Sequence, residues 1–203
     1  LLEKVKCRYH ISQISSQKSL EVIKYRKEMV KFTSGVSVNN LSLNENDIGD
    51  FKTFLKLSPP LRGEEDRIAL VQGLKDDLID VIVSDHKPED EESKRLTFSQ
   101  AATGASGIET LLSLSLELYH NESLKLETII KALTCNPAKI LKINKGNLSV
   151  GNNADLCIVD IQKPWIVKKE KLVSKSKNTS IEDKKLQGKV INTFVKGKEL
   201  FKL

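Results

Sequence analysis

The sequence predicts an α/β chain in which strands alternate with helices and then give way to a smaller β module. Three observations carry this expectation. Residues 80–85, "DVIVSD", are apolar at successive positions, the mark of a strand covered on both faces in a parallel sheet flanked by helices. Helical apolar spacing precedes and follows that run. From residue 144 the texture changes to short strands punctuated by Gly and Asn. The pattern fits an α/β barrel or an open α/β sheet.

The elements follow in order. "CRYHISQI", residues 7–14, reads as a strand, and Ser15 or Ser16 caps a helix to about Met29 with Leu20, Ile23 and Tyr25 toward the core. The next strand, "KFTSGVSV", leads into a polar stretch and then "FLKLSPPLR", which its double proline keeps from being helical. Residues 63–78 open with Gly63, Glu64, Glu65 and Asp66, acids suited to a helix N-terminus, and place Ile68, Val71, Leu74 and Leu78 on one face. After the strand at 80–85 come helices at about 107–120, with Ile108, Leu111, Leu112 and Leu118 inward, and at about 124–142, with Leu126, Ile129, Ile130, Leu133 and Ile140 inward and a break expected near Pro137. "GKVINTFVKGKELF" reads as a hairpin turning at "KGK". Two parts follow, 1–143 and 144–203. Three parallel strands would leave two bare edges, so the first part is expected to belong to a larger fold. The opening "LLEKVK" reads as the end of a helix, which points the same way.

Composition sets the broad class. At 203 residues, 39% hydrophobic and 30% charged, the chain can bury a core and is not of the disordered type. The net charge of +6 is uneven, because residues 163–203 hold 12 Lys against 4 Asp and Glu and the remainder is slightly acidic. Without interleaved aromatics or a nucleic-acid motif, this basic end reads as a solvated surface, and no nucleic-acid partner is expected. Cys7, Cys135 and Cys157 are odd in number and form no CxxC pair, which argues against a disulfide framework and suits a reducing cytoplasm. The longest apolar stretches, such as that around "LLSLSLELY", are too short to span a membrane, and the N-terminus has no signal-peptide layout.

Asp85 closes the 80–85 strand, where barrel enzymes collect acids and histidines at strand C-termini. A carboxylate there could bind a divalent metal or take a proton from metal-bound water, and equally could serve as a turn or cap. His86 is expected to point away from the site into a structural hydrogen bond, and His120 to pair with a helix C-terminus. Trp165 reads as an anchor in a small core or interface.

Six segments together, "LKLSPPLRGEEDR", "DVIVSDHKP", "GIETLLSL", "LTCNPAKIL", "KGNLSVGNNADLCIVD" and "SKSKNTS", resemble in order and spacing the C-terminal half of bacterial dihydroorotase, of the amidohydrolase superfamily. The resemblance runs from about residue 5 to the end. It implies that the strands at 7–14, 32–38 and 80–85 are the last three of a TIM-like (β/α)8 barrel, and that 144–203 belongs to a small β-sandwich appendage. It further implies zinc, a zinc-bound hydroxide attacking the ring amide of dihydroorotate, and Asp85 as metal ligand and general base. Several site positions depart from the family pattern. Where the sixth strand usually carries a zinc-binding His, "HISQISS" has Gln13, and His10, three residues away on a strand, points to the other face. At the expected substrate positions stand Ser58 for Asn, Glu89 for His in "DHKPE", and Ala102-Thr103-Gly104 for Pro-Phe-Gly, while "VNNL" at 38–41 replaces "PHHL". The negative Glu89 would repel a dicarboxylate-like substrate. The remaining family ligands would lie upstream of residue 1. The expectation is therefore a dihydroorotase-like chain without catalysis of its own, a structural partner of aspartate carbamoyltransferase and possible homo-oligomer. The alternatives are an active zinc-dependent dihydroorotase and an amidohydrolase of changed specificity.

Overall fold

The computed structural model describes residues 2–5 and 7–203. Three parallel strands come first: β1 His10–Ile14, β2 Thr33–Ser37 and β3 Val81–Val83, in the order β1-β2-β3. Helix α1, Gln17–Lys27, returns the chain from β1 to β2, and its first amides are served by the Ser16 side chain, which accepts from Ser19 N. Helix α2, Val38–Ser42, starts directly where β2 ends, with Ser37 as its cap. Two 3-10 turns, Glu45–Ile48 and Thr53–Leu55, precede an irregular segment to Gly63 and then helix α3, Glu64–Lys75, which leads into β3. Its three N-terminal acids lie where the helix end is electropositive.

Beyond β3 lie α4, Glu91–Lys94, and α5, Leu111–His120. A continuous helical stretch follows, made of α6 (Leu126–Ile130), a π turn (Lys131–Cys135) and α7 (Asn136–Leu141). The break expected at Pro137 does not occur. The residue lacks an N–H to donate, and the wider π turn just before it lets the helix continue through the proline. The chain ends in an antiparallel sheet, β4 Leu156–Ile166, β5 Lys185–Val195 and β6 Lys198–Lys202, in the order β4-β5-β6. The expected hairpin is present: β5 and β6 are joined through Lys196 and Gly197, both at positive φ, as a tight primed turn requires.

Several core assignments need correction. Tyr25, Ile68 and Ile108, expected inward, are 58%, 56% and 61% exposed. The face of α3 that packs inward carries Leu70, Val71 and Leu74, one step around the helix from Ile68. Ile108 lies in a turn before α5 begins, so helical spacing does not govern it, and Ile130 is exposed beside the buried Ile129. Of the opening segment, 2–5 form a turn and bend, while residues 1 and 6 lie outside the described residues.

The two sheets share one core. Val167, Ile181 and Leu186 from the C-terminal part belong to the same buried apolar cluster as Ile14, Val36, Ile82 and Leu118. Helix α5 is the joint: Ser113 Oγ donates to Gly188 O at 2.6 Å and accepts from Trp165 Nε1 at 3.1 Å, while the Lys189 ammonium sits 4.4 Å from the centre of the Trp165 ring. Gly188 has φ +100°, and a Cβ there would meet Leu116 Cδ1 at 2.3 Å. Leu116 is fully buried and cannot withdraw. Gly188→Ala should therefore destabilise the protein by about 2–4 kcal/mol, read as a lower urea midpoint at unchanged slope.

Candidate functional site

The C-terminal ends of the parallel strands converge on Asp85, which follows β3 at φ +49°, a backbone region that Asp tolerates better than most residues. Its carboxylate is half-buried. Gln13 on β1 donates from Nε2 to Asp85 Oδ1 at 2.7 Å, and Ser37 at the end of β2 lies close enough to favour the charged form. Burial pushes the carboxyl above its ordinary range, and Gln13, Lys87 and Ser37 pull it back without cancelling the rise. Residues of β1 and β2 thus meet a carboxylate presented just beyond the end of β3.

The histidines turn elsewhere. His10 Nδ1 pairs with Thr33 Oγ1 at 2.7 Å on the neighbouring strand, and burial lowers its pKa against the attraction of Asp80. His86 Nδ1 accepts from Gly107 N at 3.2 Å and Ile108 N at 3.3 Å, a structural role that also fixes its tautomer, with the proton on Nε2. His120, the last residue of α5, pairs through Nε2 with Ile161 O at 3.0 Å. Around Asp85 this chain therefore offers one carboxylate and one carboxamide whose N–H already faces that carboxylate. Zinc favours imidazole, thiolate and carboxylate, so the pair does not fit a zinc site. Among the described residues no group of three His, Cys, Asp or Glu could hold a metal ion.

The expected substrate positions fall on loops beside this carboxylate. Lys87 gathers two of them: its Nζ is 3.2 Å from Thr103 Oγ1 and 3.6 Å from Glu89 Oε1. The Glu89 charge is thus met by a cation rather than left bare. Gly104, at φ +136°, runs so close to Lys87 that a Cβ would lie 2.5 Å from Lys87 O. Ser58 is exposed and precedes Pro59 through a cis peptide bond. Structure adds residues that the sequence reading left unused. Asn178, buried, donates from Nδ2 to Gly104 O at 3.1 Å and accepts at Oδ1 from Glu89 N at 3.2 Å and from the Ser176 hydroxyl. It fastens the "SKSKNTS" loop to both site loops, and the only hint in sequence was its place in that segment.

Because folding favours the neutral Asp85 carboxyl, its ionisation works against stability as pH rises through its raised pKa, and that cost is absent at pH values well below it. Asp85→Asn keeps an acceptor for Gln13 and tolerates positive φ. Its thermal midpoint should exceed that of the parent at pH 7, and the gap should close as pH falls toward 3.

Comparison with known proteins gives the lineage. The amidohydrolase family model matches residues 7–200. A dihydroorotase of Ehrlichia chaffeensis is 42% identical over 195 residues, covering 96% of this chain and 44% of that protein. A dihydroorotase of Aquifex aeolicus is 39% identical over 194 residues, covering 95% and 46%. Among solved structures, an L-hydantoinase (dihydropyrimidinase) from Arthrobacter aurescens superimposes with a TM-score of 0.90 at 28% identity, over 98% of this chain and 46% of that one. The chain spans less than half the length of these relatives. With nearly its whole length matched and its α/β architecture shared, the chain belongs to the amidohydrolase family.

Proposed function

We propose that this chain is the C-terminal part of a dihydroorotase-like protein whose zinc-dependent hydrolysis has been lost and which acts as a structural partner of aspartate carbamoyltransferase in the cytoplasm. The observation that carries the reading is the 2.7 Å hydrogen bond from Gln13 to Asp85. An imidazole at residue 13 could give a metal a lone pair, whereas the carboxamide N–H spends the carboxylate on an internal bond. In this reading β1, β2 and β3 are the last three strands of a TIM-like barrel, the division falls between 143 and 144, and the C-terminal sheet is part of a β-sandwich. Ser58, Glu89, Thr103 and Gly104 are then remnants of the dihydroorotate pocket. Support for the partner is the family resemblance alone.

A second reading rests on the relatives: chains named dihydroorotase at about 40% identity favour a working hydrolase, with Asp85 as base. A third, changed specificity toward another cyclic amide, rests on the Lys87 pairing with Thr103 and Glu89.

Metal analysis separates them when performed on the protein expressed from its whole natural reading frame after zinc loading. The proposal expects far less than one zinc per chain, no dihydroorotate turnover, and a gain of about tenfold or more in zinc affinity for Gln13→His. Stoichiometric zinc with turnover would establish the second reading, and stoichiometric zinc without it the third. Co-purification with aspartate carbamoyltransferase tests the partner separately.

A further inference from the structure

Two segments carry Ser58 and Thr103-Gly104, one running from Thr53 to Ser58 and the other from Thr97 to Gly104. Between them lies Lys94, the last residue of α4, only 2% exposed although lysine almost always keeps its charge in water. Its Nζ reaches three backbone carbonyls: Ala102 O at 2.8 Å, Thr53 O at 3.0 Å and Lys56 O at 3.5 Å. An ammonium has three donors and no acceptor, so a set of three carbonyls is its natural complement. The first carbonyl belongs to one loop and the other two belong to the second.

The surrounding bonds have the same sense. Thr53 Oγ1 donates to Lys94 O at 2.5 Å, Ala102 N donates to Ser93 O at 3.1 Å, and Gly104 N donates to Lys56 O at 2.9 Å. From the outer side, Lys56 Nζ donates to Ser99 O at 2.9 Å and Ala101 O at 2.7 Å. The charged groups facing the Lys94 amine are Glu89, Lys56 and Lys87. Burial brings its pKa down to about 8, which leaves the ammonium form predominant at pH 7.

We infer that Lys94 is a positioning residue that acts as a tethered cation: its ammonium gathers carbonyls of both loops, so that the segments bearing Ser58 and Thr103-Gly104 hold one relative arrangement. This goes beyond the proposed function and does not rest on it, since a site that binds without hydrolysis needs the same order. An apolar side chain of similar length would fill the space but leave Ala102 O without the donor that Lys94 supplies.

Hydrogen exchange on the full-length protein tests this with Lys94→Met and Lys94→Ala. In K94M the amides of Ala102, Gly104 and Lys56 should exchange about tenfold faster, while that of Val36 in β2 is unchanged. In K94A, added methylammonium should restore protection and tetramethylammonium, which has no N–H, should not. Acceleration in one loop only, no acceleration, or equal rescue by both cations would overturn the inference. Should either variant unfold, the unsubstituted protein decides: the Lys94 ammonium protons should exchange far more slowly at pH 7 than those of the exposed Lys163, and equal rates would refute the role.

Discussion

A half-buried carboxylate at the end of a three-residue strand is the constraint on which this site is built. Removing a charge from water is costly unless donors replace the water. Asp85 finds a donor on β1 in Gln13, so the bond that compensates it also fixes the end of β1 against the loop that follows β3, with Ser37 at the end of β2 close by. Immediately downstream, Lys87 N donates to Ala105 O at 2.9 Å and His86 accepts from the amides that open the path to α5. Asn178 carries the tie onward to the C-terminal part, whose sheet is locked to α5 through Ser113 and Gly188. The chain of dependence runs from one carboxylate to the far sheet through identifiable hydrogen bonds.

The same wiring bears on chemistry. The family scaffold survives closely enough for a TM-score of 0.90 against a hydantoinase, yet the charged groups around Asp85 pair within the chain. Gln13 supplies a donor to Asp85, and Lys87 meets both Thr103 and Glu89. A site whose charged groups are internally paired is suited to holding shape. That is the physical content of the partner-protein reading, and Lys94 fits it as an internal cation that orders two loops.

Much of the fold was legible in the sequence. The continuous apolar run "VIV" marked a doubly covered strand, and "VKGK" marked the hairpin, because strand burial and primed turns each leave a local signature. Side-chain direction was less legible at helix margins: Ile68 and Ile108 match a helical period but lie off the packed face or outside the helix. The Gln13 and Asp85 pair was visible only as two positions in a family pattern, since 72 residues separate them and only the sheet register brings them together. Lys94 was hidden altogether. It sits in "EDEESKR", a charge run that reads as a solvated face, and nothing local tells that one of its charges turns inward onto carbonyls forty residues away.

The central claim is that Asp85 is satisfied within the protein and not by a metal. The most direct measurement is a carbon-13 titration of the Asp85 carboxyl in the full-length protein, with and without zinc. The account predicts a midpoint above that of an ordinary aspartate, with the curve unchanged by zinc. A curve that zinc drives to much lower pH would contradict it and make Asp85 a metal ligand.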